Sequence, residues 1–250
     1  MNHMYRTLLA AVALAFSSVT ASAETITVCA SGCDHTSIND AIAASSDGDV
    51  IQLAAETYFE GSQIDTLGKA ITLSGVLDKA GEPASVLDGA SDHRVLRCQS
   101  GETAETVFEN LVIQNGYSDF DGGGMYNSSS SPTLTNCTFA SNSATYGGGM
   151  FNGSSSPTLS NCTFTSNLVS GTETSSGGRG GGMYNSASSP ILTDCTFTIN
   201  SASGGPFAGN ESGRGGGMCN VDDSSPTLTN STFTNNSASG SKVDGGSGGG

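Results

Sequence analysis

The sequence has no tryptophan, only eight lysines and arginines against 23 aspartates and glutamates, and few of the large apolar residues that fill ordinary cores. Leu, Ile, Val and Phe together number 46 of 250 residues, or 18%. With a formal charge of −15, that share falls where chains fail to bury enough apolar surface to offset chain entropy, unless the composition is periodic. So little positive charge cannot build the cationic surface that neutralises phosphates, so no nucleic-acid partner is expected. Past residue 23 no apolar run reaches the roughly 20 residues of a membrane-spanning helix.

The N-terminus carries the only long apolar run. Arg6, the apolar residues 8–16 and the small residues Ala21-Ser22-Ala23 mark residues 1–23 as a secretory signal peptide. Cleavage there leaves a chain beginning at Glu24 with a charge of −16, destined for the extracellular space or the outer-membrane surface.

Glycine, by contrast, is abundant at 35 residues, and it comes in clumps rather than at the every-third spacing of collagen. From residue 122 the clumps open a repeat. Gly-Gly-Gly leads into Met125, Met150, Met183 and Met218; a proline follows (Pro132, Pro157, Pro190, Pro226), then Leu134, Leu159, Leu192 and Leu228. Next come Asn-Cys-Thr-Phe or a close variant, ending at Phe139, Phe164, Phe197 and Phe233, and an Asn three residues later. Met to Phe spans 14, 14, 14 and 15 residues, whereas Phe to the next Met spans 11, 19 and 21. One leg is fixed and the other absorbs every insertion, which is the mark of a solenoid of stacked coils.

The coil is β rather than helical, because Pro, Gly, Asn, Thr and Ser dominate it and no apolar stripe has a 3.6-residue period. Leu134 and Phe139 are out of phase for one strand, so a turn must fall between them, and Asn136 tolerates the left-handed backbone such a turn needs. Stacking then aligns like residues: a turn ladder of Asn136, Asn161, Asp194 and Asn230, an inward Cys137, Cys162, Cys195 ladder continued by Ser231, and an inward Phe139, Phe164, Phe197, Phe233 ladder. The fold class expected is all-β: a single-stranded parallel β-helix with a short N-terminal capping helix. Residues 24–116 read as the capping module, with a capping-box pattern at Ser37-Ile38-Asn39-Asp40, and residues 117–250 as the repeats. The final Gly248-Gly249-Gly250 is the triplet that precedes each Met, which predicts a chain cut in mid-repeat.

Gly-Gly-x-Met followed by Phe-x-x-Asn resembles the GGA[ILV] and FxxN repeat of the polymorphic outer membrane proteins. These are surface-exposed autotransporter adhesins with a right-handed parallel β-helix passenger. The stretch from Gly48-Asp49-Val50-Ile51-Gln52-Leu53 to Tyr58 is similar more broadly to the pectin-lyase-like β-helix superfamily. The resemblance implies a right-handed helix and a role in adhesion. Two departures stand out: Met replaces a smaller aliphatic, and no C-terminal run of alternating strands could form a translocating barrel.

Of the seven cysteines, Cys29 and Cys33 are placed for a small bridge in an exported chain. No metal site is expected, because no CxxC pair occurs and His35 and His93 lie apart from the cysteine ladder. A polysaccharide lyase or hydrolase would need carboxylates clustered on an outer face, and the repeats offer few. The sequence therefore predicts a chain that is not an enzyme and takes no cofactor, with the lyase or hydrolase as the alternative. Its expected role is an adhesion or binding scaffold for an extracellular protein or polysaccharide surface. Arg179 and Arg214, each four residues before a Met, and Glu173 and Glu211 in the insertions are the candidate ligand contacts.

Overall fold

A computed structural model describes residues 22–172, 177–205 and 212–240. In the coil that opens at Met125, the chain runs through Met125–Ser128, Thr133–Thr135, Thr138–Ala140 and Ser143–Ala144 before Met150 starts the next. Each strand pairs in parallel with its counterpart one coil on, Met125 with Met150, Leu134 with Leu159 and Phe139 with Phe164. Stacked, these strands make four sheets. Sheet 1 has eight strands from Thr25–Val28 to Thr227–Thr229, and sheet 2 has seven from Thr57–Tyr58 to Thr232–Thr234. Sheet 3 has six from Ile64–Asp65 to Met218–Val221, and sheet 4 has four from Ser143–Ala144 to Ser237–Ser239. The result is a parallel β-helix, and the stacking runs without a break from the capping module into the repeats.

Local chemistry sets the corners. Asn136, Asn161, Asp194 and Asn230 all hold left-handed backbone angles, with φ of 52°, 52°, 55° and 49°. That single-residue turn brings Leu134, Cys137 and Phe139 inward together and leaves Thr138 half-exposed. The side-chain amide of Asn161 donates to Asn136 at 2.9 Å and that of Asn136 to Asn110 at 3.0 Å, so the ladder begins one coil earlier than the repeat suggests. The glycine clump answers two demands. Gly147 has a φ of +63°, and a Cβ on Gly149 would lie 2.5 Å from the carbonyl oxygen of Gly182 in the next coil.

Inside, the phenylalanines form a column whose ring centroids lie 4.7, 4.6 and 4.6 Å apart with planes within 3° of parallel. Cys137, Cys162 and Cys195 are free and buried beside it. Leu228 and Phe233 keep the register yet are 42% and 46% exposed, because no described strand packs beyond theirs. At the other end a helix, α1 (Ile38–Ala44), lays Ile38, Ala41 and Ile42 over the core. Ser37 Oγ accepts from the Asp40 N–H at its start, and Lys69 Nζ donates to the Ala43 and Ser45 carbonyls at its end. Among the described residues no helix is long and apolar enough to cross a membrane.

Two buried asparagine columns complete the interior. Asn127, Asn152 and Asn185 pass one amide hydrogen bond to the next at 2.8 Å, ending on Asn220. Asn142, Asn167 and Asn200, the asparagines three residues after each Phe, are fully buried between sheets 2 and 4. These columns spread hydrogen-bonding groups through a core that has few apolar side chains to fill it.

A candidate ligand-binding face on sheet 3

Residues alternate across sheet 3, so Met125 and Asn127 point inward while Tyr126 and Ser128 point out. In-register pairing carries the outward position of Tyr126 through Asp65, Arg97, Tyr126, Phe151, Tyr184 and Cys219. The three rings stack along the helix axis, Tyr126 on Phe151 at 5.3 Å and Phe151 on Tyr184 at 5.4 Å. A second column beside it, joined by parallel bridges, runs Asp121, Tyr146, Arg179 and Arg214. The Tyr146 ring meets Tyr184 at 5.3 Å with a 43° tilt, which ties the columns together.

Cations flank the rings. The Arg94 guanidinium sits 4.6 Å from the Tyr126 centroid, and that of Arg179 sits 6.0 Å from the Tyr146 centroid. Arg94 is also pinned from below, its Nε donating to the Gly122 carbonyl at 2.9 Å and its Nη1 to Gln63 at 3.3 Å. Arg97 lies 3.8 Å from Asp65, a partly exposed pair that adds little stability. Burial holds the Asp121 carboxyl above its ordinary value against the pull of Arg94, and burial pushes the Tyr184 phenol up against Arg179. Arg94, Arg97, Arg179 and Arg214 are all the arginines among the described residues, and every one lies on this face. Electropositive ring edges with planar, always-charged forks beside them suit a polymer that offers carboxylate or sulfate groups.

Arg179 and Arg214, singled out from the sequence, are bridged neighbours on adjacent coils. Glu173 and Glu211 lie outside the described residues. Cys29 and Cys33 form a disulfide with a Cα–Cα distance of 5.6 Å, beside the first strand of sheet 1. Among the described residues no group of three or more His, Cys, Asp or Glu side chains is placed to hold a metal. The sequence reading missed Arg94, Arg97 and the aromatic stack. Its one available signal was the aromatic that follows Met in three coils, at Tyr126, Phe151 and Tyr184. Cys219 takes the place of the aromatic in the fourth coil and is buried, at 9% exposure.

No curated protein sequence matches the chain. The crystal structure of the pectin methylesterase from Aspergillus niger, in deglycosylated form, is similar at 15% identity and a TM-score of 0.43, over 92% of this chain and 93% of that one. The expectation from the sequence that the chain is not an enzyme is corrected by this finding, since the similar solved structure is that of a pectin methylesterase. A family described as "Right handed beta helix region" has a sequence model that matches residues 95–249. The sheets and turns above are those of such a helix, and the chain belongs to this right-handed β-helix family.

Proposed function

We propose that the chain is exported and serves as an extracellular or cell-surface scaffold that binds an extended acidic polymer along the outer face of sheet 3. The observation that carries this reading is the gathering of all four described arginines around the Tyr126–Phe151–Tyr184 stack, in a chain whose net charge is −15. An acidic chain has no general reason to concentrate its cations, whereas a site for carboxylates or sulfates does. The signal-peptide pattern of residues 1–23 and the likeness of the Gly-Gly-x-Met and Phe-x-x-Asn repeats to polymorphic outer membrane adhesins support display outside the cell.

Affinity electrophoresis through gels holding an acidic or a neutral polysaccharide tests the site. The chain should be retarded by the acidic polymer, less so at high salt, and an Arg179→Ala, Arg214→Ala variant should run freely. Equal retardation by the neutral polymer, or retention unchanged in the variant, would remove the reading. Release of new reducing ends in the same incubation would show that the bound polymer is also cleaved.

A further inference from the structure

The outer face of sheet 2 over its last four strands has a different character. One outward column is Thr138, Thr163, Thr196 and Thr232, and the other is Ala140, Thr165, Thr198 and Thr234, each residue in register with the next. Seven of the eight positions are threonine and none is charged or aromatic. The inward residue between the columns is the stacked phenylalanine, whose ring spacings of 4.6 to 4.7 Å give the axial repeat of the array. Across each strand the two outward residues are separated by roughly 6.6 Å. The Thr232 hydroxyl donates to that of Thr196 at 3.3 Å, closer than the axial repeat, so at that one step the two hydroxyls turn toward each other.

Strand preference alone would accept Val, Ile, Tyr or Phe at these places. Copying of the repeat alone would hold every face equally constant, and it does not: over the same coils the outward columns of sheet 1 are threonine at six of eight positions, interrupted by Ser160 and Ile191. On sheet 3 the outward pair drifts from Tyr126 and Ser128 to Phe151 and Gly153, Tyr184 and Ser186, then Cys219 and Val221. In the two preceding strands of sheet 2 the same columns hold Val86 and Asp88, then Val112 and Gln114.

We infer that this threonine face binds ice. Each threonine offers a methyl group that water must cage and a hydroxyl that can enter a water lattice. The array repeats them in two directions, with an axial period close to the short repeat of hexagonal ice. The backbone ladder and the phenylalanine column beneath hold it rigid, so little ordering entropy remains to be lost on binding. An uncharged face matches an uncharged lattice, and the acidity of the chain lies elsewhere: 17 of the 23 acids precede residue 122. A crystalline polysaccharide would call for aromatic platforms, and this face has none. The inference is independent of the arginine-lined face on sheet 3.

Nanolitre osmometry on the full chain tests it, together with partition into a slowly growing ice front. Faceted crystals, a gap between melting and freezing that widens with concentration, and enrichment in the ice are expected. A Thr163→Lys, Thr196→Lys variant with unchanged circular dichroism should lose all three, and so should Thr198→Tyr, while Ser128→Lys on sheet 3 keeps them. Unshaped crystals with no gap from the parent chain would overturn the inference whatever the variants do. So would activity that survives the lysine pair, equal loss in Ser128→Lys, or exclusion from ice with co-sedimentation on crystalline cellulose or chitin.

Discussion

The side-chain amide of Asn167 donates to the carbonyl oxygen of Phe139, one coil away, at 2.9 Å. Its oxygen in turn accepts from the Asn142 backbone N–H at 3.1 Å and from the Asn142 amide at 3.0 Å. Asn167→Ala therefore leaves the buried Asn142 N–H without its acceptor and takes one of the two donors from the Phe139 carbonyl, at a cost of about 1–3 kcal/mol. Urea unfolding should show a clearly lower midpoint for this variant, against almost none for Thr165→Ala on the surface of the same coil. A midpoint equal to that of the parent would mean that the column is ornamental.

The phenylalanine column makes a graded prediction. Phe164 is fully buried between Phe139 and Phe197, so Phe164→Ala removes two ring contacts and opens a cavity, costing about 3–5 kcal/mol. Phe233 stacks on one side only and is 46% exposed, so Phe233→Ala should cost well under half as much. Equal losses in thermal or urea unfolding would contradict the burial difference.

How far the sequence foretold this arrangement depends on which physical signal each residue carried. The turn at Asn136 and the inward set of Leu134, Cys137 and Phe139 were legible, because an odd spacing of apolar residues forces a corner and Asn is a residue that can make one. Sheet 4 was not: Ser143–Ala144 and Ser201–Ser203 have no strand preference and lie in the leg that absorbs insertions. The burial of Asn142 was not legible either, because a buried amide looks like any polar residue until its coil neighbour is in place. The arginine cluster was half visible. Arg179 and Arg214 share a phase within the repeat, but Arg94 belongs to the capping module and reaches Tyr126 only through stacking.

Gly149 gives a test of close coil packing. A Cβ there would meet the Gly182 carbonyl oxygen at 2.5 Å and the Phe164 ring at 2.9 Å, and neither the main chain nor the stacked ring can move aside cheaply. Gly149→Ala should destabilise by about 1–3 kcal/mol. Gly153 is the contrast, because its added Cβ meets only the end of the Phe151 side chain at 3.0 Å and its register partners are Ser128 and Ser186. Gly153→Ser should fold with a midpoint near that of the parent, and a loss as large as that of Gly149→Ala would refute the steric argument.

Glu102 ties stability to pH. It is 3% exposed, and its carboxylate accepts from Ser130 Oγ at 2.7 Å, Thr66 Oγ1 at 2.8 Å, the Ser100 N–H at 2.8 Å and the Gly68 N–H at 3.0 Å. Burial works to raise its pKa, but the Ser130 and Thr66 hydroxyls and the backbone donors outweigh it, and the value falls below that of an ordinary glutamate. Because the folded value lies below the unfolded one, near 4.3, the stabilisation is present above that pH and is lost as pH falls through the folded value. Asp49 and Asp88, whose values are also lowered, add to the same acid loss. Glu102→Gln separates the contributions: the amide cannot accept at both ends, so the variant should start from a lower urea midpoint at neutral pH. Its midpoint should then fall less steeply than that of the parent below about pH 4.3. Parallel curves for the two proteins would show that the four hydrogen bonds do not favour the ionised carboxylate.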